Sequence, residues 1–444
     1  MTEPTQAAGG RKRTQRERIL NGMIQAVVRE GYAAATIAQT IEHAGVSRPT
    51  FYDYFTDKDD CFLAAQRQIA ERLLAQTRRA VAHDRPERAL QSAIGSLLGF
   101  ARSQPVDARF LLRDALAGGR RALDERDRAV EQTAQIVERA HAATAPRTPS
   151  PDLPTSAAVG AVHWLLASRL SHDESDLEGL ADELERWIEA HARPTGEHRR
   201  HTLEPGPTPP PSPHVSELPP TAPAPLPPGR SNLSREEVAR NQRERILHAT
   251  AEVSARNGYH AATIADITAA ARVDSRVFYT HFHDKLDAAL AAQQLGVQHA
   301  TAVTASAFFS AAAWPERIRQ TTLAYMQFQA SHPIISRFGL VDVHAIGRPA
   351  IEQIHASHNA FTIFLQEGNR HASQPQSHAA MEAIVSASFE IAYRLSRREE
   401  TEQMARFSKH LAYLCLAPFL GPAAAEETID AETSASARGD APAP

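Results

Sequence analysis

Gly31-Tyr32-Ala33-Ala34-Ala35-Thr36-Ile37-Ala38-Gln39-Thr40-Ile41-Glu42-His43-Ala44-Gly45-Val46-Ser47-Arg48-Pro49-Thr50-Phe51-Tyr52-Asp53-Tyr54-Phe55-Thr56-Asp57-Lys58 is the stretch on which the fold turns. Its frame returns without a gap in Gly258-Tyr259, Thr263-Ile264-Ala265, Val273, Phe278-Tyr279, Phe282 and Asp284-Lys285. The offset of 227 is constant from the flanking Arg16 and Arg243 (243 − 16) to the two lysines (285 − 58). A block that has kept its register marks a duplicated domain.

Within the first copy, Ile19, Met23 and Val27 fall on one face of a helix from Arg16 to Glu30, which Gly31 ends. Thr36-Ile37-Ala38-Gln39 is a capping-box start for a second helix. That helix stops near Ala44, because Gly45 can take the left-handed conformation of a tight turn. Ser47 caps a short third helix with Pro49 in its first turn. Phe51 and Phe55, four apart, face the core, and Pro49, Thr50, Tyr52 and Asp53 face outward. Two short helices across a Gly turn, the second with a polar and aromatic outer face, suit the major groove of DNA. Lys58 opens the next helix, where its charge and the helix N-terminus together suit a phosphate.

These residues resemble the tetracycline-repressor (TetR/AcrR) family of bacterial transcriptional regulators. The likeness rests on Gly31-Tyr32, Thr36, the run Ala44 to Tyr52, Phe55 and Lys58, about 50 residues per copy. It implies three N-terminal helices that bind DNA and a larger helical part that dimerises and often binds a small molecule. Carried over, Thr36, Arg48, Pro49, Thr50, Tyr52 and Lys58 are expected at the DNA. Their counterparts in the second copy are Thr263, Ser275, Arg276, Val277, Tyr279 and Lys285. Thr40 departs from the pattern where an aliphatic residue is usual, and Asp53 puts a negative charge on the DNA side. In the second copy Arg272 replaces the turn glycine, at a cost if the turn is left-handed, while Asp274 can cap the third helix.

The rest of the chain is read as all-α, two tandem units of a helix-turn-helix head and a helical body. The expected divisions are a disordered basic arm 1–13, a first head 14–66, a first helical domain 67–193 and a Pro-rich linker 194–233. A second head 234–293, a second helical domain 294–421 and a disordered tail 422–444 complete the chain. The linker composition cannot bury a core, which predicts an extended or disordered tether. Arg11, Lys12 and Arg13 suit either an arm on DNA phosphates or a solvated tail.

Over 444 residues, net charge is −4, so basic character is local rather than global. Two cysteines, Cys61 and Cys415, fit a reduced cytoplasm without a disulfide framework. No secretory signal is read in the polar N-terminus, and the longest apolar run, Leu411 to Leu420, is too short for a membrane span. No phosphate loop, Gly-x-Ser-x-Gly or zinc-protease motif occurs, so neither an enzyme nor a cofactor is expected. His355 and His358, and His281 and His283, lack further ligands at metal spacing, so no metal site is expected.

The second repeat is richer in aromatics than the first. Tyr325, Phe328, Phe338, Phe361 and Phe389 are candidates for an apolar effector pocket, and equally for ordinary core. The family likeness implies that the terminal helices pair. Here those around Ala157–Leu170 and Leu177–Ala192 can pair with Met381–Leu395 and Glu402–Leu416 of the same chain. The expected function is a ligand-responsive repressor with two unlike DNA-reading heads, folded as an intramolecular pseudo-dimer. The alternative is a chain homodimer in which only the first head reads DNA and the second unit is a sensor or protein-interaction module.

Overall fold

A computed structural model describes residues 4–143, 150–171, 177, 179–193, 199–215, 222–226 and 233–439, with side chains between 14 and 430. Among the described residues the architecture is helical, with a two-residue antiparallel pairing of Ser150–Pro151 with Ala192–Arg193. No helix among the described residues is long and apolar enough to cross a membrane. The chain divides into two compact units that do not coincide with the two repeats. Unit one holds 1–143, 163–178 and 347–352, and unit two holds 144–162, 179–346 and 353–444.

Unit one begins with α1 (Pro4–Glu30), α2 (Ile37–Ala44), α3 (Arg48–Tyr52) and α4 (Lys58–His83). Helix α1 is already formed from Pro4, where the sequence suggested a disordered arm to residue 13; the side chains of Arg11, Lys12 and Arg13 lie outside the described residues. Ile19, Met23 and Val27 are fully buried, as the periodicity of α1 requires. Thr40 is also fully buried, and its hydroxyl donates to the Thr36 carbonyl at 3.0 Å. That bond lets a hydroxyl occupy an aliphatic position without leaving an unsatisfied donor. Helix α4 runs into the body, where Phe62 packs between Tyr32 (ring centroids 4.6 Å apart) and Phe110 (5.2 Å).

Unit two contains the second head and its body, and it also takes in helices of the first repeat. The first half of helix Thr155–Ser171 and helix Leu180–Glu189 belong to it together with His378–Arg397 and Ser408–Leu420. Ala157, Ala158, Val159, Ala161 and Val162 are buried there. Ser377 donates to Glu183 at 2.9 Å, and the His191 and Tyr413 rings meet edge to face at 6.0 Å. Gly160 lies so close to the buried Glu390 that a Cβ would stand 2.2 Å from its Cδ.

Two segments expected to be free are held. In the Pro-rich stretch, Arg406 and Gly206 exchange two hydrogen bonds, from the Gly206 amide (2.9 Å) and from the Arg406 Nε (2.7 Å). Farther along, Gln327 accepts from the Ser212 amide and donates to the Pro210 carbonyl, both at 2.6 Å. Val215 packs on Ala300, Val303, Ala307, Ala324 and Phe328. A chain poor in apolar residues is thus tied down through its backbone groups, which composition does not register. The tail is likewise helical from Pro422 to Gly439, with Ala425, Glu426 and Ile429 buried. Glu426 accepts from Arg200 Nε at 2.9 Å and lies 3.3 Å from Arg193 Nη2. A buried carboxylate is kept by such cationic partners, and they come from elsewhere in the sequence.

Candidate DNA-binding heads and effector cavity

The first head is assembled by local chemistry. Thr36 caps α2 by accepting from the Gln39 amide (3.2 Å), and the Thr36 amide donates back to Gln39 Oε1 (2.8 Å). Gly45 ends the helix at φ 60° and ψ 45°. Ser47 accepts from the Thr50 amide at 3.3 Å and starts α3. Phe51 and Phe55 are buried, their rings 5.7 Å apart. Tyr52, in contrast, is 48% exposed, with the Arg48 guanidinium 6.0 Å from its ring. Thr36, Arg48, Pro49 and Tyr52 therefore face solvent together, and Thr50 and Lys58 are half-buried.

Lys58 has a second employment that the sequence did not disclose. Its ammonium donates to the Tyr32 carbonyl at 3.0 Å and sits 4.4 Å from the Tyr32 ring centre. It ties the start of α4 to the turn after α1. The N-terminus of α4 is already occupied, since Asp57 accepts from the Asp60 amide at 2.8 Å and Asp59 and Asp60 lie in the first turn. These acids oppose a phosphate at that helix end, so the phosphate reading of this corner rests on Lys58 alone.

The second head repeats the geometry. Thr263 caps helix Ile264–Ala271 with the reciprocal bond from Asp266 in place of Gln39. Arg272 adopts φ 51° and ψ 50°, the same left-handed turn that Gly45 makes. Arg245, at the repeat position of Arg18, donates to the Arg272 carbonyl at 2.9 Å, as Arg18 does to Gly45 at 2.6 Å. Burial, and then the Arg272 charge, lowers the Arg245 pKa. Asp274 stands at the cap position of helix Ser275–His281, but its side chain makes no capping bond there, contrary to the sequence expectation. Ser275, Arg276 and Tyr279 are exposed (Tyr279 at 59%), Thr263 also, and Val277 is half-buried. Lys285 donates to the carbonyls of Tyr259 (2.8 Å) and Ala262 (2.9 Å).

A left-handed non-glycine residue costs about 1–2 kcal/mol, against about 0.5–1 kcal/mol for the extra entropy of glycine. Arg272→Gly is therefore expected to stabilise the second head by up to about 1 kcal/mol. A denaturant titration of the full chain reads this; a loss of stability would mean that Arg272 contributes a contact outweighing its strain.

A cavity of about 170 Å³ lies inside unit two. Tyr325, Phe328, Phe338, Phe361 and Phe389 all line it. Leu247, His248 and Ala251 close one wall, and they belong to helix Arg235–Asn257, the first helix of the second head. The lining contains no Asp, Glu, Lys or Arg. Its histidines are held toward the neutral form: burial pushes His358 down to about 3 and also lowers His248 and His299. His355 is buried, and His358 packs 4.4 Å from Phe389. Unit one has a much smaller cavity of about 20 Å³, lined in part by Glu125 and Arg126.

Two short helices across a left-handed turn, with an exposed polar face on the second, define a helix-turn-helix protein, and this chain has two such heads. A family model described as "Bacterial regulatory proteins, tetR family" matches residues 19–65 and 246–292. Those two segments are tandem copies of that family's N-terminal domain. The "HTH-type transcriptional repressor AcnR" of Corynebacterium glutamicum is 36% identical over 67 residues, 15% of this chain. The match spans only 36% of that repressor's length. Among solved structures, the fatty acid degradation regulator FadR of Bacillus halodurans has a TM-score of 0.37 at 18% identity, covering 39% of this chain and 94% of its own. FadR of Bacillus subtilis, solved in complex with stearoyl-CoA, has a TM-score of 0.36 at 15% identity, covering 39% and 96%.

Proposed function

We propose that this chain is a transcriptional repressor that reads double-stranded DNA with two unlike heads and is released by a small, uncharged, mainly apolar effector. The observation that carries the two-headed reading is the second recognition helix. It presents exposed Arg276 and Tyr279 from a turn kept left-handed despite the loss of glycine. The effector reading rests on a cavity without ionised side chains in its lining, one wall of which is a helix of a DNA-reading head. A charged ligand would lose its hydration there without a counter-charge.

The pseudo-dimer reading rests on unit two, where terminal helices of both repeats share one core. Covalent tethering raises the effective concentration of that pairing over pairing between chains. A particle of one chain mass in light scattering is expected, and unlike recognition helices predict an asymmetric site rather than a palindrome.

Selection of a site from a random DNA library by the full chain tests the whole. Two unlike half-sites are expected. Lys58→Ala should then weaken binding about equally across sequences and lower the salt slope by about one ion. An inverted repeat bound by a chain dimer, with a footprint indifferent to Arg276→Ala plus Tyr279→Ala, would favour the single-head alternative.

A further inference from the structure

Helix Arg348–Phe361 belongs to the second repeat, yet its first turn folds with unit one and the rest with unit two. Within that first turn, Arg348 bonds to α1 and to Asp114. Its Nη2 donates to the Val28 carbonyl at 2.5 Å and its Nε to Asp114 Oδ1 at 3.1 Å. Val28 lies in the last turn of α1, where carbonyls lack helical partners and the helix dipole is negative. Asp114 is buried and already gripped by Arg113 through two bonds of 2.9 and 2.7 Å. A cation that closes a helix C-terminus while paired to a fixed carboxylate holds α1 in place.

The other end of the same helix faces the effector cavity. Ile354, Ser357, His358 and Phe361 line it. From Arg348 to Ile354 is six residues, about 9 Å along a helix. Gly347, just before the helix, has φ 99°, a conformation open to glycine, and its carbonyl accepts from the Ala350 (3.1 Å) and Ile351 (3.2 Å) amides. The sequence holds the same pair, Gly119-Arg120, in the first repeat, 228 residues earlier (347 − 119), and Asp342 stands at the same offset from Asp114 (342 − 114). Gly119 has φ 73°.

We infer that Arg348 places the first DNA-reading head under the control of the cavity in the second repeat. This rests on the effector reading of that cavity. Filling the cavity displaces helix Arg348–Phe361, draws Arg348 from the Val28 carbonyl and loosens the C-terminal end of α1; α2 packs on the same helix at Gly22 and Met23, and α3 follows α2 across the Gly45 turn. The effect is a population shift, and its size is set by how differently the two helix positions accept an occupant. Arg348 is a positioning residue here: DNA contact is left to α3.

Occupancy can be imposed without a ligand. Gly339 lines the cavity, and a Cβ there meets nothing within 4 Å, so Gly339→Phe serves as a built-in occupant. In the full chain with the second head disabled by Arg276→Ala and Tyr279→Ala, DNA affinity reports the first head. Gly339→Phe is expected to weaken that affinity about tenfold, and adding Arg348→Met should shrink the response to under about twofold. Arg348→Lys, which keeps the charge, should preserve part of it. Because Arg113 still compensates Asp114, the Arg348→Met chain should stay folded by circular dichroism. Amide exchange at Gly31, whose N–H is bonded to the Val27 carbonyl at 2.8 Å, should quicken about tenfold in both Gly339→Phe and Arg348→Met. An equal response to Gly339→Phe with and without Arg348 would overturn the inference while sparing the effector reading. If Gly339→Phe altered neither this affinity nor that of a chain with only the second head active, made by Tyr52→Ala, the effector reading itself would fall.

Discussion

Replacing Arg193 with methionine is expected to destabilise unit two by about 3–5 kcal/mol, the usual cost of stranding a buried charge. Arg193 Nε lies 2.5 Å from Asp152 Oδ2, and Asp152 is fully buried. The same guanidinium meets Glu426, and the carbonyl of Pro422 accepts from it at 3.2 Å. After the substitution Glu426 keeps Arg200, but among the described residues Asp152 keeps the amides of Arg199 (3.2 Å) and Arg200 (2.7 Å). Most of the cost therefore falls on Asp152. Adding Asp152→Asn removes the stranded charge and should recover part of the loss. Urea unfolding followed by the buried Trp187 and Trp314 measures it; a change below about 1 kcal/mol would place the pair among weak surface ion pairs. Methionine fills the stem volume, so packing alone would not explain a large effect.

Gly22→Val should disable the first head while leaving the second intact. A Cβ at Gly22 would lie 2.4 Å from the Thr40 carbonyl oxygen and 3.0 Å from the Ala44 amide nitrogen. Backbone cannot turn aside as a side chain can, so α1 and α2 must separate. We expect a loss of about 3 kcal/mol or more in the first head, and a fall of about a hundredfold in affinity at its half-site. The second repeat holds Ala249 at the same register, 227 residues on. On the two-headed reading, a footprint of the variant should keep the second half-site and lose the first. Equal protection of both halves would show that α1 and α2 can spread without harm.

What the sequence disclosed and what it withheld divide by range. The Thr36–Gln39 box, the Ser47 cap, the Gly45 turn and the burial of Phe51 and Phe55 involve partners at most four residues apart, and all are found as the pattern implies. The five aromatics proposed for the pocket line the cavity, although their types alone left core and pocket equally open. Lys58 escaped because its partner Tyr32 is 26 residues back. Asp274 had a capping residue's identity without the bond, since identity does not fix the rotamer. The docked linker and the helical tail escaped for a stronger reason. Glu426 in an Ala-rich stretch gives no local sign that Arg193 and Arg200 will surround it. Arg348 is equally mute, because its meaning depends on Val28, some 320 residues earlier.

Unit two also sets a timetable for synthesis. Its core needs Ala157 to Val162 of the first repeat together with the helix that starts at His378. The ribosome reaches His378 only 207 residues after Ser171 (378 − 171). At about 5–20 residues per second, the apolar face of the earlier helix waits roughly 10–40 s for its partner. During that interval it is exposed to other nascent chains and to holdase chaperones, so slow codons between the two segments would lengthen the hazard. A transcript broken in this interval would release a first repeat whose sticky helix has nothing to meet.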